Sequence, residues 1–269
     1  MQRYHAAFGA ANLTECARAA RFFMKDIQKI LSRVRYAVQK YDMIEEGDCI
    51  AVGVSGGKDS LTLLCALCEL AKFYPKHFTV IAVMIDMGFD LTSAAPPPMD
   101  TGAIEELCRR LGIPFYVKRT QIAHVIFDVR REKNPCSLCA RMRRGVLHDA
   151  VLEFSANKLA LGHHFDDAAE TLMLNLFFEG RFGAFSPVTY LSKKGLTMIR
   201  PLIYTKESDI KSFVRRASLP VIKSPCPADG NTERALMKTY LGDFDHRHRG
   251  LYKRLVGALE RSGIDGWSE

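Results

Sequence analysis

The sequence predicts an α/β fold: a parallel sheet with helices on both faces, carrying a helical N-terminal region and a smaller C-terminal region. Two observations lead there. From about residue 49, short apolar runs alternate with amphipathic stretches, the pattern of β-α-β units joined by right-handed crossovers. The chain is also long enough, at 269 residues with 48% hydrophobic and 25% charged residues, to bury a sizeable core without staples. That composition excludes collagen-like, disordered and disulfide-miniprotein classes.

The elements follow in order. Residues 1–48 read as a mostly helical N-terminal region. Cys49–Val54 is a buried strand, and Leu61–Phe73 an apolar helix. Phe78–Ile85 is a second strand. Thr101–Leu111 is a helix, with Thr101 at its N-cap and Gly112 at its end. Phe115–Lys118 is a third strand, and residues 138–154 are helical. Lys158–Leu161 is a fourth strand, followed by a helix over Asp167–Phe178. Residues 49–180 thus form the sheet domain, in which ligands are expected at the carboxyl ends of the strands. Residues 181–269 form the smaller C-terminal region. It holds a short strand near Met198, a helix over 206–217 capped by Thr205, and a basic helix over 248–261.

No apolar run reaches the roughly 18 residues of a membrane span, and residues 1–23 lack a signal-peptide core. A cytoplasmic protein without a membrane partner is expected. The net charge of +8 favours a polyanionic partner. Eight cysteines in a reducing compartment are core residues, metal ligands or reactive thiols rather than disulfides.

Residues 52–60 read Val-Gly-Val-Ser-Gly-Gly-Lys-Asp-Ser. A strand runs straight into Ser55, Gly56, Gly57, Lys58, Asp59 and Ser60, and a helix begins there. The glycines allow a tight turn and close backbone approach. The unsatisfied N–H groups and positive dipole end of the helix favour an anion. Ser55, Lys58 and Ser60 add donors and charge. Asp59 suits a phosphate site only by holding a metal or orienting Lys58.

Cys136 and Cys139 open a helix at a spacing that faces two sulfurs toward one metal centre, and a helix N-terminus favours the thiolate. Cys226 stands between Pro225 and Pro227, a poor position for core packing. Three thiolates admit two readings: structural zinc with a fourth ligand from His163, His164 or Asp229, or a [4Fe–4S] cluster with one open iron. Cys65 and Cys68 have the same spacing but lie inside an apolar helix, and read as core.

Gly162-His163-His164-Phe165-Asp166-Asp167 follows a strand and opens a helix, beside the phosphate loop. Asp167 fits a helix cap, a Mg²⁺ anchor or a proton acceptor. Arg130, Arg131, Lys133, Arg141, Arg143 and Arg144 surround the cysteine pair and fit contacts to a nucleic-acid backbone. Arg247, Arg249, Lys253 and Arg254 form a second, weaker basic set.

Ser-Gly-Gly-Lys-Asp-Ser resembles the signature of the PP-loop ATP pyrophosphatases. With Pro-Cys-Ser-Leu-Cys-Ala-Arg-Met-Arg-Arg-Gly, Gly-His-His-Phe-Asp-Asp-Ala-Ala-Glu-Thr, Ile199-Arg200-Pro201-Leu202 and Pro225-Cys226-Pro227 in that order, the chain resembles the tRNA 2-thiocytidine synthetase family over about residues 30–241. The resemblance implies that ATP is cleaved between its α- and β-phosphates to adenylate the C2 carbonyl of an anticodon-loop cytidine. It implies a [4Fe–4S] cluster on Cys136, Cys139 and Cys226 that carries sulfur on its open iron. It places ATP on residues 55–60, Gly162 and His163, with Mg²⁺ and Lys58 neutralising the leaving pyrophosphate. Catalytic roles fall on Lys58, Asp59, Arg143 and Asp167, and tRNA contacts on Arg130, Arg131, Lys133, Arg141 and Arg144. A sulfur donor such as a cysteine desulfurase is implied, and a homodimer is compatible with the sequence. The chain departs from the better-known members in having only Cys226 where they carry a Cys-x-x-Cys. The alternative is a PP-loop ligase or amidotransferase with structural zinc on the cysteines.

Overall fold

The structure, a computed structural model, describes residues 27–89, 100–130, 135–223, 226 and 232–268. Residues 27–40 form α1. The chain continues through β1 (Asp48–Val54), α2 (Lys58–Ala71), β2 (Phe78–Asp86), α3 (Gly102–Leu111) and β3 (Phe115–Arg119). A short turn, α4 (Ile122–His124), runs into a π-helical segment, Val125–Val129, before α5 (Pro135–Glu153). Then come β4 (Lys158–Ala160), α6 (Phe165–Leu174) with a π-helical extension at Asn175–Glu179, β5 (Val188–Leu191) and β6 (Leu196–Ile199). The helices α7 (Glu207–Arg216), α8 (Glu233–Arg247) and α9 (Leu251–Ser262) follow.

One six-stranded sheet has the order β3-β2-β1-β4-β6-β5, parallel except for β5 against β6. The predicted α/β class and the strand order of appearance are those observed. β1 sits between β2 and β4, with Val52 facing Ala82 on one side and Ala160 on the other. The chain winds outward to β2 and β3 and later returns to β4 on the other side of β1. The carboxyl ends of β1 and β4 therefore flank a topological switch point, where open α/β sheets leave a crevice.

The two faces bury different partners. Val52, Val54, Val80 and Ala82 pack with α1, α2 and α3 and with the helices after β6. Ala51, Ile81, Val83 and Leu159 pack with Leu147, Ala150 and Val151 of α5. This alternation is why the strands read as continuous apolar runs: both faces are covered.

Several details differ from expectation. The sequence predicts a change of unit at 180–181, yet the sheet runs through it, because β6 pairs in parallel with β4. The described part of the N-terminal region shares a core with the C-terminal helices: Ile27, Ile30 and Val34 join Val256, Leu259 and Trp267. Thr205 does not cap α7. Its side chain is fully buried, Lys206 is the N-cap residue, and Asp166 Oδ2 accepts the N–H of Glu207 at 2.7 Å. The predicted basic helix over 248–261 is α9, and α8 precedes it unforeseen. The α8 helix hides from a periodicity reading because Leu236, Tyr240 and Phe244 lie on its exposed side. Among the described residues no helix is long and apolar enough to cross a membrane.

Candidate active site

The phosphate loop is held open by its own side chains. Gly56 sits at φ +80°, and its carbonyl accepts the N–H of Ile222 at 2.9 Å. A side chain there would strain the backbone and press on Ile222. Ser60 Oγ accepts the N–H of Ser55 at 3.2 Å and donates to the carbonyl of Gly57 at 3.0 Å. Gly57 is the N-cap residue of α2 and carries no side chain to satisfy the first N–H groups, which leaves donors facing the crevice. Gly162, at the end of β4, lies against this turn. A Cβ on it would stand 3.1 Å from the Asp59 carbonyl carbon and from the Ser60 nitrogen. A side chain here would press on the loop backbone, which would have to give by a few tenths of an ångström.

Asp59 turns out to be a partner of Lys58. Lys58 Nζ lies 3.0 and 2.7 Å from the two Asp59 oxygens and 3.2 Å from Glu207 Oε1. Burial pulls the lysine pKa down, but the hydrogen bond and charge of Asp59, joined by Glu207, outweigh it and hold the ammonium above its ordinary value. Glu207 gathers three lysines, with Lys211 at 2.9 Å and Lys238 at 2.5 Å. Burial pushes its carboxyl up, yet the hydrogen bonds from Lys238 and Lys211 and the charges of Lys58 and Lys238 bring it down to about 2.

Across the crevice, His164 caps α6. Its Nδ1 accepts the N–H of Asp167 at 3.4 Å, and Asp167 Oδ2 accepts the N–H of His164 at 2.9 Å. This reciprocal box puts Asp167 at the helix start, where the dipole favours a carboxylate. His164 Nε2 also lies 3.7 Å from Asp59 Oδ1, so the two halves of the site meet through a buried imidazole. His163 is half-buried against the Phe185 ring, centroids 4.7 Å apart. Burial, then the charge of Arg200, brings its pKa down to about 4, so it is neutral at physiological pH. Its Nδ1 is enclosed and has no partner.

The thiols lie in the segment that follows the carboxyl end of β3, as the phosphate loop follows that of the parallel strand β1. Cys136 is exposed and Cys139 half-buried in the first turns of α5, and Arg143 follows Cys139 by four residues. The sequence leads one to expect a thiolate favoured by the helix start. Instead burial raises Cys139, Arg143 opposes this, and the neighbouring thiols of Cys226 and Cys136 add to the rise. The effect of Cys226 on Cys139 places it near the α5 pair, although about ninety residues of chain separate them. Among the described residues no group of three or more His, Cys, Asp and Glu is gathered tightly enough for a single metal ion. A cubane cluster binds each thiolate to a different iron, so its three sulfurs stand apart. Three neighbouring thiols with an arginine beside them fit that group. Arg130, Arg141, Arg143 and Arg144 are exposed, whereas Arg131 and Lys133 lie outside the described residues.

The PP-loop domain family matches residues 23–243. Two tRNA-cytidine(32) 2-sulfurtransferases, from Geotalea uraniireducens and Syntrophotalea carbinolica, are 41% and 39% identical to it over 235 residues. These alignments cover 86% of this chain and 90% and 88% of theirs. The chain belongs to the PP-loop tRNA-cytidine 2-sulfurtransferase family. A solved relative, the U34-tRNA thiolase NcsA from Methanococcus maripaludis with its [4Fe-4S] cluster, superposes with a TM-score of 0.70 at 25% identity. It covers 89% of this chain and 80% of its own.

In this PP-loop sulfurtransferase three site residues lie outside the sequence motifs, Glu207, Arg234 and Lys238, and a fourth, Glu170, stands inside one without a role read for it. Glu170 follows Asp167 by one helical turn and is 2% exposed. Burial and the Asp167 charge push it up to about 7, against Lys238 and Arg234. Its place in the Gly-His-His-Phe-Asp-Asp-Ala-Ala-Glu-Thr segment and a Glu on an apolar helix face are the signals that point to it. Glu207, Arg234 and Lys238 have the composition of an ordinary solvated surface.

Proposed function

We propose that the protein uses ATP to replace the C2 oxygen of a tRNA cytidine by sulfur, at position 32 as in its named relatives. The observation that carries this reading is the pairing of two centres on one sheet: a lysine-bearing phosphate loop, and Cys139 with Cys136, Cys226 and Arg143 near it.

The chemistry needs both centres. A pyrimidine carbonyl oxygen is a poor leaving group. Attack of O2 on the α-phosphorus of ATP expels pyrophosphate and turns the oxygen into part of a phosphate ester. The turn at residues 55–60 and the start of α2 bind the phosphates, with Ser55, Gly56, Gly57 and Ser60 supplying the cradle. Lys58 neutralises the departing pyrophosphate and is aimed by Asp59 and Glu207. Gly162 keeps the loop in place, and neutral His163 borders the nucleotide. Asp167 accepts the proton released as the base is activated, or anchors a Mg²⁺ ion on the phosphates. A sulfur nucleophile then adds at C2, and AMP leaves with its electron pair. Cys136, Cys139 and Cys226 would hold the [4Fe–4S] cluster, which would supply the activated sulfur. Arg143 stabilises negative charge near these thiols. Arg130, Arg141 and Arg144, with Arg131 and Lys133, bind the tRNA backbone. A cysteine desulfurase or an equivalent donor reloads the sulfur.

The test is anaerobic incubation of iron-loaded protein with ATP, Mg²⁺, sulfide and unmodified tRNA. Nucleoside mass spectrometry should find 2-thiocytidine, with AMP formed in step. AMP formation with a nitrogen or carbon adduct in place of sulfur, or zinc at one ion per chain and no iron, would favour the ligase reading.

A further inference from the structure

Helix α8 has two unlike faces. Leu236, Tyr240 and Phe244 lie on the exposed side. Arg234 and Lys238, one turn apart, point together at the crevice, with Met237 and Leu241 buried alongside. Arg234 Nη2 donates to Thr171 Oγ1 at 3.0 Å. Its Nη1 lies 3.7 Å from Asp167 Oδ1 and 3.6 Å from Glu170 Oε2. Lys238 Nζ donates to Glu207 Oε1 at 2.5 Å, the same oxygen that Lys58 approaches at 3.2 Å.

Lys58 and Asp167, both given work in the adenylation step, are thus each gripped twice. Asp167 is held through Oδ2 by the N–H of His164, from its own helix cap, and through Oδ1 by Arg234. Lys58 is held by its neighbour Asp59 and, through Glu207, by Lys238. In both cases the second grip comes from α8, which no phosphate-loop motif includes. We propose that Arg234 and Lys238 are positioning residues for adenylation, Arg234 aiming Asp167 and Lys238 restraining Glu207 so that Lys58 stays turned to the phosphates. This rests on the functional reading above.

The two arms have different signatures. Losing Arg234 frees a group that acts on chemistry, so kcat should fall. Losing Lys238 leaves Glu207 to draw Lys58 away from the nucleotide, so binding should weaken. A purely structural role for α8 would lower both quantities together, and the melting temperature with them. The experiment measures tRNA-dependent AMP formation and calorimetric ATP affinity with the full chain. Arg234→Gln should lower kcat about tenfold or more while KM for ATP stays within about twofold, and Arg234→Lys should recover part of the loss. Lys238→Met should raise KM and Kd for ATP about tenfold, and adding Glu207→Gln in the same chain should restore most of the affinity by releasing Lys58. Parental kinetics in both single variants would overturn the proposal, as would a joint fall in kcat, affinity and melting temperature that Glu207→Gln does not relieve. A parent chain that forms no AMP with any tRNA would instead overturn the functional reading, and the proposal with it.

Discussion

Two cysteine pairs with identical spacing have opposite fates. Cys65 and Cys68 lie within α2, at 0% and 7% exposure, packed on the sheet with Cys108. Cys136 and Cys139 open α5, one exposed and one half-buried, near Arg143 and Cys226. Burial pushes the Cys68 thiol up to about 12 and Cys65 still higher, which removes the thiolate a metal needs. At Cys139 burial also raises the thiol, but an arginine opposes it and the other charges are thiols, so binding several metal ions would reverse the balance. The motif does not choose between core and cofactor. Position in the helix and access to a third sulfur do.

This contrast can be broken in several ways. The largest effect is expected from Cys139→Ser, which should cut tRNA thiolation at least about a hundredfold, a barrier change of roughly 2.7 kcal/mol, while Cys68→Ser keeps parental iron. Equal iron loss in both variants would erase the distinction. Next, Lys58→Ala should lower AMP formation by about a hundredfold or more and leave iron content unchanged, because the loop and the thiols come from different segments. Iron loss in that variant, read from its absorbance, would show that the two centres are one structural unit.

The third effect is on stability at alkaline pH. Cys68 and Cys108 are raised to about 12 and about 11 in the fold, from an ordinary value of 9.0. A raised acid stabilises fully below its unfolded pKa, and that contribution is lost as pH climbs toward the folded value. The urea midpoint should therefore fall between about pH 9 and about pH 12, and Cys68→Ala should flatten the decline. An unchanged slope in the variant would assign the loss to other groups. The smallest effect is Cys68→Ala at neutral pH, about 1 kcal/mol by urea unfolding, because only a small buried group is removed.

The same comparison explains what the chain discloses without coordinates. The phosphate loop is legible because its backbone demands particular residues: a positive φ at Gly56, little room for a Cβ at Gly162 and a hydroxyl at Ser60 to pin the turn. The sheet is legible because both its faces are buried, so each strand prints a full apolar run. The supports of Lys58 and Asp167 are not. Glu207, Arg234 and Lys238 arrive from about 150 residues or more beyond the loop, and salt-bridging side chains leave no local pattern. The cap of α6 was hidden for another reason: His164 does what Ser, Thr, Asp or Asn ordinarily does.

The claim that three distant cysteines form one centre is tested most directly at Cys226, which about ninety residues of chain separate from the α5 pair. Iron and acid-labile sulfide should be counted in anaerobically reconstituted Cys226→Ser alongside the parent, with ATP affinity measured on the same samples. A collapse of iron with ATP affinity retained is the result expected from a cluster spanning α5 and Cys226. Full iron occupancy in Cys226→Ser would contradict it and return that cysteine to a packing role.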